Sequence, residues 1–250
     1  MRAIVFAAGV GSRMKPFTDS HPKALAPVHG KPIIGHLMDK LLKAGITSVV
    51  VNVHHFPEQI RQYFRANDNF GIDIEFSDES DCLLDTGGAL AKIGKNSRIF
   101  AHPGKAPILV HNADILTDFP LEEMEAAHNK ANADATILVN PARTSSRKFL
   151  FDSDRQLRGW RNLANGTTKP DGLNIQGLQE AAFGGVHIIS PQFLQEIAKE
   201  PVAPFSIVDY YLRQAKDHKI HGFVPNHNYQ WFDIGTSEKL AGANQNYTEK

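Results

Sequence analysis

Short, unbroken apolar runs taking turns with helically spaced ones organise the first two thirds of this chain. Residues 3–7 (AIVFA), 48–53 (SVVVNV), 107–111 (PILVH) and 135–139 (ATILV) read as strands. Their apolar residues run on without polar alternates, as in strands covered on both faces. Ile33, Ile34, Leu37, Met38, Leu41 and Leu42 recur on one helix face, with Pro32 suited to the first turn and Gly45 to the stop. Residues 57–65, 86–93 and 121–131 carry further helical patterns. Strand and helix alternating in this way specify βαβ units and a mostly parallel sheet.

From Phe149 the periodicity loosens. Residues 152–181 are rich in Asn, Gly, Asp and Thr and read as a strand pair with a loop over the sheet edge, placed to act as a lid. Residues 182–190 resume as a strand, 206–218 as a helix and 219–235 as a pair of short strands. No repeat or Pro/Ser-rich linker divides the chain, so one domain over residues 1–250 is expected.

Composition narrows the classes of partner. Lys plus Arg and Asp plus Glu each number 27, so no global field gathers nucleic acid or an anionic membrane, and phosphate binding must come from local arrangement. Hydrophobic residues at 42% and charged residues at 22% describe a chain that buries a core. Cys82 is the single cysteine, which leaves no internal disulfide. No apolar run approaches the ~20 residues that span a bilayer. The first residues enter a strand-like run without a signal or transit composition, so the cytoplasm is the expected compartment. Twelve histidines, His54 and His55 adjacent among them, form no metal-ligand spacing.

The chemistry concentrates after the first strand, in FAAGVGSRMKPFT at residues 6–18. Gly9 and Gly11 let the backbone turn tightly and aim N–H groups at an anion. Arg13 adds a permanent charge and a planar fork matched to phosphate oxygens. Met14 stands where a dinucleotide fingerprint needs its third glycine, and no Gly-Lys-Ser/Thr follows, so neither better-known cradle fits. PKALAPVHGKPII at residues 22–34 then holds Lys23 between Pro22 and an apolar run. A held lysine beside a glycine loop with an arginine suits phosphoryl transfer, where positioning and charge neutralisation do most of the work.

Residues 8–32 resemble the signature of the sugar-1-phosphate nucleotidyltransferases: a strand, then A-G-x-G-S/T-R-x-x-P-x-T, then P-K-x-x-x-P-[VI]-x-G-x-P. The resemblance implies a Rossmann-like (GT-A-like) three-layer α/β/α sandwich with a mostly parallel central sheet. It implies an enzyme that couples a nucleoside triphosphate to a sugar 1-phosphate with release of pyrophosphate, using Mg²⁺. On that reading Arg13 and Lys23 are catalytic, and Ala8, Gly9 and Gly11 bind the nucleotide. Asp114, ending ILVHNAD, and Asp233, in WFDIGT, are the expected metal ligands. CLLDTGGAL at residues 82–90 resembles the nucleobase stretch and points to Gly88, with Asp85 where glycine is commoner; Asn52, after the second strand, is a further candidate near the base.

On the sugar side, FGGVHI at residues 183–188 points to Gly185. GWRNLAN at residues 159–165 falls where many members carry G-F-x-E-K-P, so Asn162 and Leu163 replace a sugar-contacting Glu and its Lys. Ala113 also replaces a commoner Gly. Residues 1–145 are the expected nucleotide-binding part and 146–250 the sugar-binding part. The compact pattern with AAG at residues 7–9 is most similar to the N-acetylmuramate 1-phosphate uridylyltransferases, which implies UTP. Mannose- or heptose-1-phosphate guanylyltransferase is the main alternative, and a phosphocholine-type cytidylyltransferase the third. From other classes, a catalytically silent nucleotide-binding regulatory module remains open, while the glycine spacing disfavours an NAD(P) oxidoreductase. A monomer or small homo-oligomer is expected, with no nucleic-acid or membrane partner.

Overall fold

The structure, a computed structural model, describes residues 1–102 and 104–248. Its strands are β1 (Arg2–Phe6), β2 (Pro27–Val28), β3 (Lys31–Pro32), β4 (Ser48–Val53), β5 (Asp73–Asp78), β6 (Ile108–Asn112), β7 (Ile115–Thr117), β8 (Ala135–Asn140), β9 (Arg147–Phe151), β10 (Leu157–Asn162), β11 (Thr168–Lys169), β12 (Gln179–Ile189), β13 (Ile220–Phe223) and β14 (Trp231–Asp233). Its α-helices are α1 (Ile33–Lys43), α2 (Pro57–Ala66), α3 (Asp85–Asn96), α4 (Leu121–Ala131), α5 (Pro191–Ile197), α6 (Ile207–Gln214) and α7 (Ser237–Asn246).

The central sheet runs β11-β10-β9-β12-β6-β1-β4-β5, with β8 and β13 joined beside β12. It is mixed. The β6-β1-β4-β5 half is parallel, while β12 joins β6, β8 and β9 antiparallel. The unbroken apolar runs have the double-sided burial that their pattern implies. Ala3 and Val5 enter one core and Ile4 the other, as do Val49 and Val51 against Val50. Helices α1, α2 and α4 cover the first face, through Leu37, Phe64 and Met124, and α3, α5 and α6 cover the second, through Leu90, Phe193 and Tyr211. Each large apolar side chain buried there contributes roughly 1.5–3 kcal/mol.

Several elements differ from the expectation, each for a physical reason. Strand β5 sits at the sheet edge, so only Ile74 and Phe76 pack inward while Asp73 and Glu75 stay polar; a half-wet alternating strand lacks the continuous apolar signal. Helix α5, absent from the expected elements, follows a Ser-Pro start in which the Ser190 side chain accepts from the Phe193 N–H, and its seven residues are too few for a clear helical period. The strand pair expected within 152–181 is present as β10 with β11 at the end of the sheet, and it extends further than expected because β10 also pairs with β9, which begins at Arg147. The two short strands expected in 219–235 are present as β13 and β14, but they pair with β8 and β7 and not with each other. That last difference builds the site.

Candidate active site

Two cavities lie side by side at the carboxyl edge of the parallel strands, where open α/β sheets receive ligands. The first, of about 480 Å³, is lined by Ala8, Gly9, Gly11, Arg13, Lys23 and Asn52, among others. The second, of about 590 Å³, contains Asn162, Gly185 and Asp233. Asp85, Asn112 and Asp114 line both, so Asp114 stands on their common border.

The first wall is the loop after β1. Met14, fully buried with Ala26, Val28, Ile33 and Ile234, anchors the short 3-10 turn Ser12–Met14 and leaves Arg13 exposed on the cleft side. Gly11 has φ +67°, and a Cβ there would lie 2.9 Å from Thr18 Cγ2 and 3.0 Å from Lys23 Cβ. Only glycine lets this loop close on the segment that carries Lys23. A Cβ on Gly9 would meet nothing within 4 Å, so that position faces open space. We therefore expect Gly11→Ala to lower the melting temperature by a few degrees, since a strained φ and a displaced neighbour cost about 1–3 kcal/mol. Gly9→Ala should leave the melt in place while weakening triphosphate binding. Melts combined with nucleotide titrations separate the two.

Asn52 is 4% exposed, and its amide is spent internally. Its Oδ1 accepts from the N–H groups of Ala7 at 2.7 Å and Ala8 at 3.3 Å, while Nδ2 donates to Glu79 Oε1 at 2.8 Å. Glu79, 1% exposed, also accepts from the Leu84 N–H at 3.0 Å. Burial raises the Glu79 pKa, and these hydrogen bonds oppose the rise. Asn52 therefore acts from behind the glycine loop, tying it to the end of β5. Glu79 was not singled out in the sequence, because one acidic residue among Asp78, Glu79 and Asp81 carries no pattern.

Gly88 does not line the cleft. A Cβ on it would lie 2.2 Å from the Ala203 carbonyl oxygen, so its smallness serves the packing of α3 against the 201–206 loop. Leu83, Asp85 and Thr86 from the same stretch do reach the cleft.

The opposite wall depends on a long-range ladder. Strands β7 and β14 pair antiparallel with Ile115 opposite Asp233, and the Ile234 N–H donates to the Asp114 carbonyl at 2.9 Å. The two distant aspartates thus come to one place. Lys23 Nζ donates to Asp114 Oδ2, joining the first wall to the second. Lys239 Nζ donates to Asp233 Oδ2 at 2.7 Å and Arg143 Nη2 at 3.2 Å. Burial alone would raise the Asp233 pKa. The Lys239 hydrogen bond and the charges of Lys239, Lys23 and Arg143 outweigh it and hold the carboxyl below its ordinary value, hence ionised at neutral pH. Arg143 is itself fixed by the Phe183 carbonyl at 2.5 Å and by the Trp231 ring 4.5 Å away. Neither Arg143 nor Lys239 belongs to a sequence motif, so only the fold reveals them.

Gly185, φ +76°, lies where β12 slips register against β8, and a Cβ on it would stand 2.6 Å from Ile115 Cγ1. The strand can approach the β7 turn only because that Cβ is missing.

Carboxylates and cations gathered around one cleft suit the transfer of a phosphate-bearing group, which puts the chain among the nucleotide-using transferases. It matches the Nucleotidyl transferase family over residues 2–250 and belongs to that family. It is 31% identical to the N-acetylmuramate alpha-1-phosphate uridylyltransferase of Caulobacter vibrioides, over 96% of this chain and 94% of that protein. It is 30% identical to the mannose-1-phosphate guanyltransferase of Gibberella zeae, over 94% of this chain but 61% of that protein. In fold it is similar to the crystal structure of UDP-glucose pyrophosphorylase complexed with UDP-glucose, with a TM-score of 0.74 at 17% identity, over 98% of this chain and 97% of that one.

Proposed function

We propose that this nucleotidyltransferase moves UMP from UTP to N-acetylmuramate 1-phosphate, with Mg²⁺ as its metal, releasing pyrophosphate and leaving a UDP-sugar. The observation that carries the reading is the shared border: Asp114 faces both cavities, so a triphosphate in one and a sugar phosphate in the other would meet at its carboxylate. On this reading residues 1–145 mainly hold the nucleotide and 146–250 mainly the sugar, and the enzyme works in the cytoplasm. Among the described residues no helix is long and apolar enough to cross a membrane.

Members of this family use a divalent metal, and the donor set fits Mg²⁺. Asp114 and Asp233 offer hard carboxylate oxygens. No group of three or more His, Cys, Asp or Glu side chains converges among the described residues, so the remaining coordination positions fall to water and substrate phosphates, as Mg²⁺ prefers. When bound, the metal supplies charge neutralisation at the transferring phosphate.

The chain's own residues account for the rest. A phosphate oxygen of the sugar 1-phosphate attacks the α-phosphorus in line; the new P–O bond forms as the bond to pyrophosphate breaks. Lys23, leaving Asp114, neutralises the phosphates that react, and Arg13 on the glycine loop takes the charge of the departing pyrophosphate. Backbone N–H groups of residues 9–11 cradle the triphosphate, in a loop whose start Asn52 ties down through the Ala7 and Ala8 N–H groups.

The second reading is GTP with mannose 1-phosphate, favoured by the likeness to the Gibberella zeae protein. A matrix of four nucleoside triphosphates against N-acetylmuramate, mannose and glucose 1-phosphates, read by pyrophosphate release, decides between them. Release confined to UTP with N-acetylmuramate 1-phosphate is the expected result. Release confined to GTP with mannose 1-phosphate overturns the first reading.

A further inference from the structure

The second cavity holds more charge than the transfer chemistry uses. Most of it is already matched: Asp114 by Lys23, Asp233 by Lys239 and Arg143, and Lys169 by Asp209 at 2.6 Å. Arg147 is different. It is exposed in the cavity at the first position of β9, and its guanidinium has no hydrogen-bond or ion-pair partner among the described residues.

Its cross-strand neighbour completes a pattern. In the β9–β10 ladder Arg147 stands opposite Asn162, and Phe149 opposite Trp160. Side chains two apart on a strand, and those directly opposed across a ladder, share a face. All four line this cavity. Asn162 Oδ1 accepts from the Ala164 N–H at 3.0 Å, which fixes the amide orientation and leaves Nδ2 as donor. The face therefore presents two donor groups at one end, a guanidinium and an amide N–H₂, with the Trp160 ring beside them, Lys169 Nζ 5.6 Å from its centre, and Phe149 buried beneath.

Donors with no acceptor among them call for an acceptor-only ligand group, and a planar fork calls for a planar one; a carboxylate is both. The Trp160 ring suits the apolar part of an arm that carries it. We propose that Arg147, assisted by Asn162, is the specificity-determining residue that selects a sugar 1-phosphate bearing a carboxylate on its ring substituents, away from the phosphate. The inference rests on the reading of the second cavity as the sugar side, and it names the acid as the feature recognised there.

The test uses two substrate pairs that differ in one acid: N-acetylmuramate 1-phosphate against N-acetylglucosamine 1-phosphate, and glucuronate 1-phosphate against glucose 1-phosphate. Pyrophosphate release gives kcat and KM for the full chain and for Arg147→Met, Arg147→Lys and Asn162→Ala. The wild type should prefer the acidic member of at least one pair. Arg147→Met should lower that preference in kcat/KM by about 10- to 100-fold, mainly through KM, as loss of one charge-assisted hydrogen-bonding group does. Arg147→Lys should restore part of it, Asn162→Ala should lower it less, and added salt should weaken it. An equal fall on both members of a pair would mean that Arg147 serves the phosphates, and it overturns the proposal; so does a wild type indifferent to the acid. Absence of release from either pair with every triphosphate would instead sink the functional reading itself, and this inference with it.

Discussion

Lys23→Met should reduce turnover by a factor of about 10²–10³ while the far-UV circular dichroism and a cooperative melt persist, because in the proposed mechanism the residue acts on charge that develops during transfer. Its ammonium sits on Asp114, with side-chain exposures of 12% and 27% for the two, at the border of two open cavities. Water can replace it beside the carboxylate, so the fold survives. A substrate phosphate has no equivalent substitute. Asp233→Asn should cause a comparable loss by a different route. The substitution removes the charge that Lys239 and Arg143 now neutralise, so the Mg²⁺ concentration giving half-maximal rate should rise as well as kcat falling. Steady-state rates over a Mg²⁺ series measure both. Near wild-type turnover in either variant would remove that residue from the mechanism.

Below pH 6.5 the protein should lose stability steeply, and buried histidines are the cause. Burial drives the His111 and His187 pKa values down to about 3 and that of His128 down to about 4, from 6.5. His187 keeps Nδ1 on the Tyr211 hydroxyl at 2.5 Å and His128 keeps Nδ1 on Thr136 Oγ1 at 3.0 Å, while Nε2 of His111 and of His187 has no hydrogen-bond partner among the described residues. The unfolded chain takes up protons below 6.5 that the folded chain refuses, so the unfolded state gains as pH falls toward 4. Three such groups remove up to about 6 kcal/mol between pH 7 and pH 5, a large share of the roughly 5–15 kcal/mol that holds a domain folded. Asp233 adds to the loss at still lower pH, where its depressed pKa means that a stabilising charge is neutralised. Urea unfolding at pH 7 and pH 5 measures the drop, and His128→Asn, which keeps a polar partner for Thr136 but does not titrate, should recover about a third of it. Equal unfolding free energies at the two pH values would refute this account.

Both results depend on features of unequal legibility. The loop with Gly9, Gly11 and Arg13 and the segment with Lys23 stand out as short runs in the sequence, and the fold brings both to the first cavity. The parallel strands could be read because both of their faces are covered, and α1 because its apolar residues share one face. Gly88 stands in a stretch that resembles a nucleobase loop, yet a glycine's need for space does not say which neighbour requires it; the neighbour is the Ala203 carbonyl. Glu79, Arg143, Arg147 and Lys239 escaped notice because a lone charged residue looks the same on a solvated face and in a cleft.

What the amino-acid order determined by itself was local: the strands and helices of the first half, the glycine loop after β1, and a pair of aspartates with suitable neighbours. These depend on backbone preference and side-chain periodicity over a dozen or so residues. Only the tertiary structure decided that Asp114 and Asp233 share a site, because that required β14 to leave β13 and pair with β7. It likewise decided which cations answer those carboxylates and which arginine is left without a counter-charge. Such choices are made by burial and strand register between distant segments, quantities that no stretch of sequence carries alone.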